Sequence, residues 1–241
     1  MGKTIAIASG KGGTGKTMVS ANLGATLSRK GYSVILVDMD TGLRNLDLYL
    51  GLENNVVFDV GDVLGDVCTI KQAIIKDKVF PGLYFLAASP SADGVNISST
   101  HTKLLYETLE KFFDYVIVDC PAGITDSFKT ALGGVKNVVL VVNPEFASLR
   151  HCETMISLLE KNEISNYYFI VNKVNVKMMQ EGFTPSLEEM DIRLKGKIIG
   201  VIREDINIKI STNMGLPVTY IKDSGPALNF DRIADRLIGL I

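Results

Sequence analysis

Apolar residues in this chain come in short unbroken blocks rather than in alternation. The blocks are Thr4–Ala8, Tyr32–Val37, Leu83–Ala87, Tyr115–Val118, Val138–Val142, Tyr167–Val171 and Ile198–Ile202. A strand that is apolar on both faces suits a parallel sheet covered on both sides. Between the blocks the spacing becomes helical. Val19, Leu23 and Leu27 mark one face of a helix, and further helices are predicted near 101–113, 147–162 and 227–238. Residues 45–76 read as short helices broken by Gly51, Gly61 and Gly65, and 90–100, PSADGVNISST, as the longest polar loop. This alternation predicts an α/β fold: a single doubly wound, mostly parallel sheet with helices on both faces and right-handed crossovers. With no linker, repeat or low-complexity stretch in view, one domain over 1–241 is expected.

Composition narrows the function. Of 241 residues, 46% are hydrophobic and 22% charged, as in an ordinary globule, and the net charge of −2 gives no general attraction to nucleic acid. The lysines are scattered, as at Lys71, Lys76 and Lys78, so no nucleic-acid partner is expected. Cys68, Cys120 and Cys152 are widely spaced and form no C-x-x-C pair, which argues against a disulfide frame, a zinc site or a cluster cradle. They read as reduced cytosolic thiols. Met1 leads directly into the first strand without a signal-peptide pattern, and no apolar run approaches the ~18 residues of a membrane span.

The chemistry gathers at the ends of the predicted strands. Gly10-Lys11-Gly12-Gly13-Thr14-Gly15-Lys16-Thr17 fits G-x-x-x-x-G-K-[ST] between a strand and a helix. Glycines let such a loop curl so that its N–H groups face phosphate oxygens, and the helix N-terminus favours the same anion. Lys16 would reach the β- and γ-phosphates, and Thr17 would offer a hydroxyl to Mg²⁺. The second strand ends in Asp38-Met39-Asp40. The strand at 115–118 ends in Asp119, four apolar residues followed by a carboxylate, which is the Walker B arrangement for Mg²⁺. Gly123 gives the backbone after Asp119 the freedom a γ-phosphate sensor needs.

Three segments carry a resemblance. The loop GKGGTGKT has Lys11 directly after its first glycine, Asp38-x-Asp40-x-Gly42-Leu43-Arg44-Asn45-Leu46-Asp47 follows the second strand, and DCPAGI begins at Asp119. Together they resemble the ParA/MinD family of ATPases with a deviant Walker A loop, and GLRNLD points to its MinD group of septum-site-determining proteins. AIIKDKVFPGLYFL at 73–86, NPEFASLR at 143–150 and ISTNMGLPV at 210–218 extend the likeness over almost the whole chain.

The resemblance implies a slow, partner-stimulated, Mg²⁺-dependent ATPase that binds ATP and ADP and dimerises with ATP sandwiched between two copies. Gly12, Gly13, Thr14, Gly15, Lys16, Thr17 and Met18 would hold the nucleotide, with Asn172 at the adenine. Thr17, Asp38 and Asp119 would serve the metal. Lys11 would cross to the partner's phosphates, Asp40 would orient the attacking water, and Asn45 would lie in the dimer-sensing switch. Expected partners are a division inhibitor of the MinC kind and an ATPase-stimulating protein of the MinE or DivIVA kind. Expected localisation is cytoplasmic, peripheral at the inner face of the cell membrane through a C-terminal tail not present in these residues. The last helix carries Leu228, Phe230, Ile233, Ala234, Leu237 and Ile238, and Asp231 and Asp235 balance its Arg232 and Arg236, so docking on the sheet is expected rather than lipid binding.

Thr14 and Met18 depart from the group's commoner valine and threonine, Arg203 stands where a proline is usual, and His151-Cys152-Glu153 replaces acidic residues. Other readings are a flagellar-number regulator, a partition-type ATPase, or a P-loop ligase or kinase, which would not need Lys11. An iron–sulfur reductase would need paired cysteines, which Cys120 alone does not supply.

Overall fold

The computed structural model describes residues 2–41, 44–90 and 97–241. Its centre is an eight-stranded sheet: β1 (Lys3–Ala8), β2 (Val34–Asp38), β3 (Ile75–Lys76), β4 (Leu83–Leu86), β5 (Tyr115–Asp119), β6 (Asn137–Val142), β7 (Asn166–Val174) and β8 (Lys197–Arg203). The spatial order is β3-β4-β2-β5-β1-β6-β7-β8. Every pairing is parallel except β3 with β4. β1 lies inside, between β5 and β6, and the order reverses there. In a doubly wound sheet the crevice beyond the strands' carboxyl ends at that reversal is where ligands bind.

The unbroken apolar runs have a simple cause. Adjacent residues of a strand enter different cores. Ala6, Ala8, Val116, Val118, Val138 and Leu140 belong to one, packed with the helices Ser99–Leu109 and Phe146–Lys161. Ile5, Ile7, Ile117, Val139 and Val141 belong to the other, packed with the helices Lys16–Arg29 and Gly225–Ile238. Both faces are dry, so both parities must be apolar.

The last helix docks as expected. Ser224 caps it, and Phe230, Ile233, Ala234 and Leu237 are buried, while Leu228 remains 43% exposed. Arg29 and Lys30 tie its outer side through Asp231 and Asp235. Among the described residues no helix is long and apolar enough to cross a membrane.

Several boundaries differ from the sequence reading. Gly51 and Gly65 end short helices, but Gly61 lies inside the helix Val60–Leu64, held by a capping box between Asp59 and Asp62. Ile75–Lys76 adds an antiparallel edge strand where only helix was expected. The helix expected at 101–113 spans Ser99–Leu109, because Ser98 caps it. Short helices at Asp126–Ala131, Val176–Gln180, Leu187–Leu194 and Ile206–Asn213 had no counterpart in the sequence reading. Most of the polar loop at 90–100, and Gly42 and Leu43 of the switch segment, lie outside the described residues.

Candidate nucleotide site

The loop that leaves β1 needs glycine at two places. Gly13 has φ 76 and Gly15 φ 95, in the left-handed region that a side chain disfavours. At Gly15 space forbids a side chain as well, since a Cβ would sit 2.3 Å from Asn172 Nδ2. Gly15 also caps the helix Lys16–Arg29, whose first N–H groups therefore open on the cleft. Ser9 Oγ braces the loop from inside by donating to the Lys11 carbonyl at 3.0 Å.

Four charged side chains converge below the loop. Lys16 is 6% exposed, and its Nζ lies 3.5 Å from Asp40 Oδ2 and 3.5 Å from Asp119 Oδ1. Thr17 Oγ1 donates to Asp119 Oδ2 at 2.7 Å, and Ser20 Oγ donates to Asp119 Oδ1 at 2.9 Å. Asp38 stands opposite Asp119 in the β2–β5 register and accepts from the backbone N–H groups of Asp40 (2.9 Å) and Leu46 (3.4 Å). Burial disfavours the charge of Lys16, but Asp119 and Asp40 outweigh it and hold its pKa above the ordinary value. Burial, with Asp119 beside it, pushes Asp38 up to about 8. Burial likewise raises Asp119, against the pull of Lys16 and the Thr17 and Ser20 hydroxyls.

This donor set fits Mg²⁺. The ion prefers hard oxygen ligands and takes one or two carboxylates alongside phosphate and water. Two buried carboxylates stand in register, one bonded to the threonine hydroxyl and paired with Lys16. Among the described residues no group of three or more His, Cys, Asp or Glu side chains could hold a metal by itself. The ion would thus depend on the nucleotide for most of its ligands.

The remaining expected residues fall as follows. Gly12, Thr14, Met18, Asn45 and Asn172 line the same cleft of about 1280 Å³, as do Lys173, Arg203, Asp205 and Ile206. Met18 is buried under the loop, and Thr14 is 1% exposed with its hydroxyl unpartnered among the described residues. Two of the expected residues have partners within the chain. Lys11 Nζ pairs with Glu145 Oε2 at 2.5 Å in the same chain. Asn172 lines the cleft and also holds the loop, its Nδ2 donating to the Thr14 carbonyl at 2.8 Å. Sequence reasoning missed Ser20, Glu145 and Lys173. Ser20 lies one turn beyond Lys16 on the same helix, which is a legible signal. Glu145, at the start of the helix Phe146–Lys161, and Lys173, on β7, reach the loop from far along the chain, and no local spacing reveals them.

A glycine loop between a central strand and a helix, a buried lysine in it, and a carboxylate ending the neighbouring strand define a P-loop nucleotide-binding protein. Known proteins narrow the class. Residues 5–218 match the family model described as the CobQ/CobB/MinD/ParA nucleotide binding domain. The septum site-determining protein MinD of Synechocystis is 43% identical over 240 residues, covering 99% of this chain and 90% of the relative. Among solved structures, the Aquifex aeolicus MinC:MinD cell division protein complex matches with a TM-score of 0.90 and 36% identity, covering 98% of this chain and 96% of that one. The Pyrococcus horikoshii septum site-determining protein MinD, complexed with Mg-ADP, matches with a TM-score of 0.88 and 29% identity, over 98% and 96% of the two chains. The chain belongs to the CobQ/CobB/MinD/ParA family, in its MinD group.

Proposed function

We propose that this chain is a MinD-type ATPase switch: Mg·ATP closes a homodimer that takes part in placing the division septum, and hydrolysis to ADP and phosphate opens it. The observation that carries this reading is the placement of two loop lysines in one cleft, Lys16 buried beside Asp40 and Asp119 and Lys11 at the rim. A ligase or kinase of this fold has no use for the second lysine.

The residues divide the work by exposure. Lys16 stays cationic and dry, so it can neutralise charge on the phosphates where the field is strongest. Asp38 and Asp119 are 1% exposed and sealed from bulk water. Asp40 has 25% of its side chain exposed, so of the three carboxylates it is the one a water can reach, and it orients the attacking water. A bound Mg²⁺ adds charge neutralisation at the phosphate oxygens. Lys11 must leave Glu145 before it can meet a second nucleotide. That pair is 31% and 51% exposed, and pairs of this kind are worth only about 0–1 kcal/mol, so the release is easy.

The named relative in complex with MinC supports a division inhibitor of that kind as partner. The relative holding Mg-ADP supports ATP/ADP and Mg²⁺ as ligands. Stimulation by a MinE- or DivIVA-like protein and a tail-borne peripheral membrane site belong to the same reading, with 1–241 acting as one ATPase domain. Calorimetric titration with Mg·ATP tests the core of it. Wild type binds, and Lys16→Ala loses about 2–5 kcal/mol, the cost typical of losing a buried charge partner. Equal affinity in the variant would remove the phosphate site from the account.

A further inference from the structure

Successive side chains of a strand point to opposite faces, so of Asn172 and Lys173 on β7 only one belongs at the phosphate loop. Both reach it. Asn172 Nδ2 donates to the Thr14 carbonyl at 2.8 Å, and Lys173 Nζ donates to the Gly13 carbonyl at 2.7 Å. The backbone accounts for this. The β7–β8 register shifts between Val171 and Val174, and Lys173 has φ 57, a left-handed conformation uncommon for a side chain of this size. Such a bulge re-aims one side chain, here turning an exposed lysine toward the same loop as its neighbour.

The two carbonyls it captures are those between the two left-handed glycines, where the loop is otherwise freest. In a planar trans peptide the C=O and the following N–H point in opposite directions. Pulling the Gly13 and Thr14 carbonyls toward β7 therefore turns the Thr14 and Gly15 N–H groups the other way, to the side where phosphate would lie. A loop ordered beforehand gives up less entropy on binding.

Resting on the reading of this cleft as a nucleotide site, we propose that the Asn172-Lys173 bulge is a clamp that pre-forms the phosphate loop, and that Lys173 is a positioning residue for nucleotide binding. The test uses the full chain with Lys173→Gly, Lys173→Met and Lys173→Arg. Glycine relieves the left-handed backbone at an exposed site, so the Lys173→Gly protein melts no lower than wild type. Its affinity for Mg·ADP nevertheless falls about tenfold, the scale of one lost charge-assisted hydrogen bond. Methionine, which keeps the stem and loses the amine, gives the same fall, and arginine recovers most of the affinity. Amide hydrogen exchange of residues 12–15 without nucleotide is faster in the glycine and methionine variants than in wild type.

Unchanged exchange overturns the clamp, even if affinity falls, because Lys173 would then act on the ligand directly. Faster exchange with wild-type affinity overturns the positioning role. Faster exchange in a protein whose wild type binds no nucleotide upholds the clamp and rejects the function proposed above.

Discussion

Thr14 shows how one residue can be assigned before any experiment. Its hydroxyl is buried in the loop and has no hydrogen-bond partner among the described residues, whereas its backbone carbonyl is held by Asn172. A buried hydroxyl with no partner costs about 1–3 kcal/mol. Thr14→Val keeps the shape and removes that cost, so the nucleotide-free protein should gain roughly 1 kcal/mol in chemical denaturation with Mg·ADP affinity unchanged. A loss of stability would mean that the hydroxyl has a partner. The thiols can be ranked in the same way. Cys152 is buried and pushed up to about 12, first by burial and then by Glu153. Cys120 is raised further by burial; Cys68, only half-buried, is raised too, by burial and then by Asp62 and Asp59, but it alone of the three is open to a reagent. The thiolate is the reactive form, and a raised pKa keeps it scarce until the pH nears that value. Iodoacetamide at pH 8 should therefore label Cys68 alone in the native protein and all three thiols after unfolding, as read by mass spectrometry.

At the level of elements, the helix Gly225–Ile238 was legible because its apolar spacing and balanced charges both pointed inward. Phe230 is fully buried in the core it shares with Ile199 and Ile233. Phe230→Ala should cost about 3–5 kcal/mol. With that face occupied, the 241-residue chain should not sediment with anionic liposomes, with or without ATP; pelleting would show an anchor elsewhere on its surface. The strands were legible for a different reason, because burial on both faces writes itself as an unbroken apolar run. The short helices at Asp126–Ala131, Val176–Gln180, Leu187–Leu194 and Ile206–Asn213 were not, since five to eight residues give the helical period too little length to stand out. The same limit hid the Ile75–Lys76 strand, which owes its form to β4 rather than to its own sequence. In the site, the loop lysine, Thr17 and Asp119 were read from motif spacing alone. The left-handed Lys173 and the Lys11–Glu145 pair were not, because strand alternation puts the first on the wrong face and 134 residues separate the second.

At the scale of the whole molecule, the cleft lies at the edge of the protein where the strand order reverses, and its rim carries Lys11. In the proposed switch this cation, paired with the half-exposed Glu145, would be exchanged onto a second copy's phosphates. Hydrolysis in that switch would need Asp40, whose side chain is 25% exposed, and without it the closed state would have no exit. The most direct measurement is the mass of the Asp40→Ala protein in solution by light scattering, with saturating Mg·ATP and then with Mg·ADP. The account predicts a stable dimer with Mg·ATP, a monomer with Mg·ADP, and a monomer in both when Lys11→Ala is added. An Asp40→Ala protein that stays monomeric with Mg·ATP bound would contradict it.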